Sequence, residues 1–353
     1  MKKQAACLGI LVGGLALAGD FKFITFDDPN EGTASGQGTT AIARSRGVID
    51  GSYTDSSGVG HGFLRFHDGK FITFDPPNSE YTAPYGMNER GEIAGIYADS
   101  NGYHGFLRRA NGEFITIDAP GAAGTFAANI NSEGAVGGDS YDSNNVSHAY
   151  IRSPDGKITL FSAPGAGTGQ YQGTQTGFID CINDEGSMTG YFNDSNNVYH
   201  GYVRSRDGTF ATFDPPGSTG TFSAGIDDEG RVTGYYLDSN GIGHGFLREA
   251  NGRITSFDVP GNSTGQGTFP GYINPYRGDI VGQYVDAAGA NHGFLLTRDG
   301  RIITYAVQGA GTGNGQGVIP NSIDWDGEIT GVVIDSNNVS HGFTSAHRDE
   351  RFE

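Results

Sequence analysis

Short runs of alternating apolar and polar residues, divided by Gly, Asn, Asp and Ser, make up most of this chain. EIAGIYAD (92–99), HGFLRR (104–109) and EFITID (113–118) read as three successive half-buried strands. The pairs Asp68-Gly69, Asn111-Gly112, Asp155-Gly156, Asp207-Gly208, Asn251-Gly252 and Asp299-Gly300 supply the positive φ of tight hairpin turns. The strand after such a turn often ends at a proline, as at Pro76, Pro120, Pro164, Pro215 and Pro260, and the N-terminal strand ends likewise at Pro29. Proline cannot donate to a ladder, which marks this strand as outermost.

The pattern repeats. His61, His104, His148, His200, His244, His292 and His341 open the same phrase at intervals of 43, 44, 52, 44, 48 and 49 residues. Such a period predicts a propeller or a solenoid. Each repeat carries four strand signals, the innermost containing Ile-Asn or a variant, as at Ile130-Asn131 and Ile182-Asn183. FKFITFD (21–27) is a fourth strand with no three before it, and HGFTSA (341–346) is a third strand with no fourth after it. With AIARSRG (41–47) as a degenerate first inner strand, the sequence predicts an all-β, seven-bladed β-propeller. It has four antiparallel strands per blade and is closed by the N-terminal strand joining the last blade.

The Gly-x-Ile-Asn-x-x-Gly, Asp-Ser-x-Gly and His-Gly/Ala-Phe elements resemble the HAF-repeat family of bacterial extracellular proteins over residues 20–346. The chain departs in using mainly His-Gly-Phe, with His-Ala-Tyr at 148–150. The resemblance implies an exported repeat protein and carries over no catalytic residue.

Residues 1–18 have the lysines, short apolar run and small-residue exit of a secretory signal, leaving 19–353 as one propeller domain with a short C-terminal tail. A secreted or periplasmic protein is expected, without a membrane span. Loss of Lys2 and Lys3 would move the net charge from -18 to -20, which disfavours nucleic acid as a partner. Cys181, alone after cleavage, reads as a buried inert thiol.

Each repeated His follows an Asp by five or six residues: Asp55, Asp99, Asp142, Asp194, Asp238, Asp286 and Asp335. These pairs are expected to be structural staples across the hairpin, with the aromatic residue two positions on packed between blades. Seven histidines spread around a ring cannot converge on one ion, so neither a metal nor any other cofactor is expected.

No nucleophile elbow, zinc-protease motif, phosphate loop or dinucleotide fingerprint is present. A non-catalytic binding scaffold for glycan or peptide is therefore preferred to a polysaccharide hydrolase or lyase at the channel mouth. Four connectors are lengthened by related phrases: SGQG (35–38), TGQYQG (168–173), TGQGTFPG (264–271) and NGQG (314–317). They nominate Gln37, Gln266, Gln316 and Phe269 as ligand-binding, with Gln170 and Tyr171 across the channel. A lesser candidate is Tyr276 and Trp325 with Arg277, Arg44 and Arg46, set against the alternative that both rings fold onto their own sheets.

Overall fold

The computed structural model describes residues 21–177, 180–260 and 265–345, so the expected leader and the tail lie outside the described residues. Every described element is a strand. The first unit runs β2 (Gly38–Ser45), β3 (Val48–Thr54), β4 (Gly60–Arg65) and β5 (Phe71–Phe74), each antiparallel to the one before. Five more units of four follow, from Tyr81 to Tyr305. The last three strands are β26 (Gly317–Ile323), β27 (Ile329–Ile334) and β28 (Ser340–Ser345). Beside β28 lies β1 (Phe23–Phe26), antiparallel, with Phe23 opposite Ser345 and Phe26 opposite Gly342.

The His-Gly-Phe phrase has a steric logic. Its aromatic member, Phe63, Phe106, Tyr150, Tyr202, Phe246, Phe294 or Phe343, is fully buried in every unit. The ring lies over a glycine of the second strand: a Cβ on Gly51 would stand 2.6 Å from Phe63, and one on Gly331 would stand 2.8 Å from Phe343. The glycine between His and Phe is crossed in turn by a fourth-strand side chain. A Cβ on Gly62 would meet Phe74 at 2.4 Å, and one on Gly293 would meet Tyr305 at 2.3 Å. Side chains of a strand alternate between faces, so one tripeptide serves both sides of its sheet.

The histidines differ from the expected pattern. Only His104 and His292 hydrogen-bond the Asp before them, through Nε2 at 3.2 and 2.9 Å. Elsewhere that contact is longer, as for His61–Asp55 at 3.6 Å and His148–Asp142 at 3.9 Å. The shorter bond runs from Nδ1 to the residue ending the fourth strand. His61 reaches Asp75 at 2.9 Å, His200 reaches Asp214 at 2.7 Å, and His148 reaches Ser162 at 3.2 Å. Ala306 stands at that position after His292, which turns to Asp286 instead. The hairpin Asp has its own task. Asp194 Oδ1 accepts the N–H groups of Asn196 and Val198, a side-chain-capped turn that holds its carboxyl below the usual range. His341 finds its Asp at the other end of the chain: Asp27, 2.8 Å away.

The recurrent Ile-Asn also acquires a role. Asn88 Nδ2 donates to the carbonyl of Asn131, Asn131 to that of Asn183, and Asn183 to that of Asp227, at 3.1, 3.0 and 2.8 Å. Asn274 donates likewise to Asp324. Arg44, in the degenerate first inner strand, meets Asp324 and Glu328. Neighbouring units are thus tied edge to edge around the axis, and each bond satisfies a buried carbonyl.

Asp50 is an exception to the repeat. Other units place Ala94, Gly137, Thr189, Thr233, Val281 or Thr330 there. Its carboxyl is fully buried, accepts Ala43 N–H at 2.9 Å through Oδ1, and leaves Oδ2 without a partner. Burial raises its pKa from 3.8 to about 7. The folded state therefore keeps a proton that the unfolded chain has lost. That stabilisation is complete below the unfolded value and disappears as pH rises through the folded one. About 2 kcal/mol should be lost between pH 5 and pH 7 on this account. Asp50→Asn should make the loss between the two pH values about 2 kcal/mol smaller in urea titrations. The remainder belongs to other buried carboxyls such as Asp139 and Asp180, which burial raises to about 6 and about 7. An unchanged slope would mean that another group carries it.

Candidate functional site

The repeats stop being equal near the axis, in the third and fourth units. The third contains β10 (Gly124–Ile130) and β11 (Val136–Tyr141), and the fourth contains β14 (Gly173–Thr176) and β15 (Met188–Asn193). The stretch from Gly173 to Asn183 is three residues longer than its counterpart from Gly124 to Asn131. The addition falls after Thr176, so β14 stops early and Asp180 adopts a positive φ of 66°. Lengthening here is therefore divided between the connector and the inner strand.

A cavity of about 360 Å³ opens at this point. Its wall draws on inner-strand residues of six units, which places it on the axis where those strands converge. Tyr85, Phe126, Tyr191 and Tyr272 supply aromatic surface, and Asp139, Gln175 and Asn321 supply polar groups. Asp139 accepts Thr176 Oγ1 at 2.8 Å, and burial raises its pKa to about 6. It is the one carboxylate among the described lining residues of this cavity. Size, aromatic wall and few polar groups are those of a small-molecule site.

Behind the cavity lie Tyr150 and Tyr202, the two units where tyrosine replaces the buried phenylalanine. Both hydroxyls are buried without a hydrogen-bond partner, and burial, with the Asp139 carboxyl nearby, raises the pKa of both phenols well above the usual value. Cys181 is fully buried, and burial raises its thiol far above the ordinary value. A thiol so protonated is a poor nucleophile.

Aromatic rings continue from the cavity into the fifth and sixth units. Tyr191 meets Phe222 at 5.3 Å, Phe222 stacks on Tyr235 at 4.9 Å, and Tyr235 meets Phe269 edge-on at 5.0 Å. Phe269, nominated from the sequence, is thus the far end of a row whose other rings the connector lengths could not reveal. The signal available was the Thr-Phe pair after the connector glycine at 125–126, 221–222 and 268–269.

The nominated glutamines sit differently. Gln37 Oε1 accepts Ala34 N–H at 3.0 Å, and Gln316 Oε1 accepts Gly313 N–H at 2.9 Å. Gln172, which the sequence reading passed over, does the same with Gly169. Backbone carbonyls of Gln37, Gln172, Gln266 and Gln316 each receive an N–H from the third strand of the preceding unit. The glycine after each Gln has a positive φ, and a Cβ on Gly38 would stand 2.1 Å from Ser340 O. The recurrent Gln-Gly phrase therefore joins neighbouring units. Gln170, Tyr171 and Gln266 remain exposed, Tyr171 at 70%.

At the opposite mouth, Tyr276 and Trp325 are both about half exposed and do not fold fully onto their own sheets. Tyr276 Oη donates across the opening to Glu89 at 3.2 Å. Arg46 pairs with Glu89 at 3.7 Å, and Arg44 with Asp324.

With this geometry in hand, solved structures supply the fold. The propeller domain of the Trilobed protease from Pyrococcus furiosus superposes with a TM-score of 0.55, at 11% identity, over 93% of this chain and 100% of that one. BP39L lectin from Burkholderia pseudomallei gives 0.56 at 11% identity, over 90% and 96%. The chain is a β-propeller. TolB from Acinetobacter baumannii gives 0.50 at 11% identity, covering 73% of the propeller chain and 65% of TolB, so the match spans less than two thirds of that protein. At these identities the likeness concerns the fold alone. No family model and no curated protein matches the chain. No helix among the described residues is long and apolar enough to cross a membrane.

Proposed function

We propose that this propeller is an exported binding scaffold of the HAF-repeat kind, with seven blades closed by β1, that takes a glycan chain at its axial cavity. The observation that carries this reading is the cavity wall: four aromatic rings around one carboxylate and two amides. Sugar rings present apolar faces that stack on aromatic side chains and hydroxyl edges that suit Asp139, Gln175 and Asn321. The row from Tyr191 through Phe222 and Tyr235 to Phe269 extends that aromatic surface into the neighbouring units, where further residues of a chain would lie. Glycoside hydrolysis uses a pair of carboxylates across the bond, and Asp139 has no such mate in the lining, which favours binding over cleavage. The two lysines and short apolar run within residues 1–18 support export.

A glycan array probed with the purified protein tests the reading. At least one class of oligosaccharide should bind, and Tyr191→Ala should weaken it tenfold or more while leaving the folded midpoint within a few degrees. Retention of full affinity by Tyr191→Ala would remove the cavity from the proposal. Binding confined to peptides would replace the glycan, and release of reducing ends from a bound oligosaccharide would restore the hydrolase.

A further inference from the structure

The clasp that joins the two ends of the chain differs from the other six. In the other units the residue following the clasp position is Pro, Ala or Val, as at Pro76, Ala163 and Val307. Here it is Asp28, 1% exposed, with Oδ2 lacking any partner. Four residues past the clasp position the sequence has Ser, Ala or Asn in the other units, as at Ser79, Ala166 and Asn262, whereas this one has Glu31. Two acids have thus been added where β1 meets β28. A buried carboxylate without a counter-charge is costly, and scaffold duty does not require one, since the other clasps manage with apolar residues.

The added groups converge. Ligand atoms of Asp27, Glu31 and His341 all lie within 4.8 Å of one another. Asp28 lies outside that group: its Oδ1 accepts two bonds from Asn30, its Oδ2 has no partner, and its charge reaches Glu31. Thr39 Oγ1 accepts the backbone N–H of Asp28 at 2.8 Å, a bond that Thr125, Thr174 and Thr268 repeat in other units. Here it also donates to Glu31 at 2.5 Å, which orients that carboxylate. Such supporting bonds orient ligands at metal sites. One imidazole and carboxylate oxygens form the donor set of zinc and related divalent ions, whereas calcium prefers oxygen alone. We infer that Asp27, Glu31 and His341, with Asp28 beside them, form a site for a divalent cation of the zinc class that locks the N-terminal strand onto the last blade. Seven histidines spread around the ring still cannot share one ion; this site differs by Glu31, which the other clasps lack.

The test is zinc titration of the EDTA-stripped full chain, by calorimetry and by thermal unfolding. One zinc per chain should bind, with a rise in midpoint of several degrees. Glu31→Gln and His341→Ala should each weaken binding at least tenfold. His200→Ala, at an ordinary clasp, should leave it unchanged. Asp28→Asn, which removes the buried charge, should raise the midpoint of the stripped protein and shrink the zinc-induced rise. Absence of a zinc-dependent shift, or equal weakening by His200→Ala and His341→Ala, would overturn the site.

Discussion

Phe246→Ala should lower stability by about 3–5 kcal/mol, the usual cost of emptying a buried phenylalanine site. Phe246 is fully buried, packs with Ile226, Val232 and Tyr236, and meets Phe213 edge-on at 5.8 Å. Its ring also covers Gly234, where a Cβ would lie 3.0 Å away, so the backbone cannot close around the hole without moving the second strand. His244→Ala, two residues earlier in the same phrase, is the control. His244 and its partner Asp258 remain 24% and 55% exposed, so water replaces much of what the clasp provides. About 1 kcal/mol or less is expected there. Urea unfolding of both variants measures the difference. Comparable losses would mean that the clasp, and not the aromatic core, is the main reason the tripeptide recurs.

That contrast indicates what the sequence could and could not reveal. Period, turn pairs and strand-ending prolines are local signals, and they place the four-strand units where the structure has them. The partner of each histidine is not local. An Asp six residues away appeared nearer than one fourteen residues away, yet the third strand pairs along its length with the fourth, which sets His200 beside Asp214. The glutamines have a comparable non-local side: Gln37 and Gln316 mark loops that differ in length, and their amides turn inward to hold those loops. The axial cavity was hidden because Tyr85, Asp139, Tyr191 and Asn321 belong to four different repeats and meet only when the inner strands converge. Asp28 and Glu31 were visible as departures from the repeat, but their meaning depended on His341 arriving from the far end of the chain.

A chain beginning at Pro29 should lose on the order of 5 kcal/mol or more, a large share of the 5–15 kcal/mol typical of a folded domain. Removing β1 leaves β28 with an unpaired edge along four residue pairs. It also withdraws Phe26, 8% exposed, from Phe63 and Phe71, and takes away the ring that Arg65 covers at 4.4 Å. Phe23 leaves Tyr305 and Phe343, from which it stands 4.8 and 5.5 Å away. His341 loses Asp27 at the same time. These losses fall on both sides of one junction, so they should act together and open the ring at the first blade. An exposed edge strand also invites pairing between molecules, so the shortened chain should self-associate in light scattering. A synthetic peptide spanning residues 21–29 tests whether strand pairing is the cause. Added in trans, it should restore much of the midpoint by strand addition, while a scrambled peptide should not. A shortened chain that unfolds at the full-length midpoint would show that β1 does not close the ring.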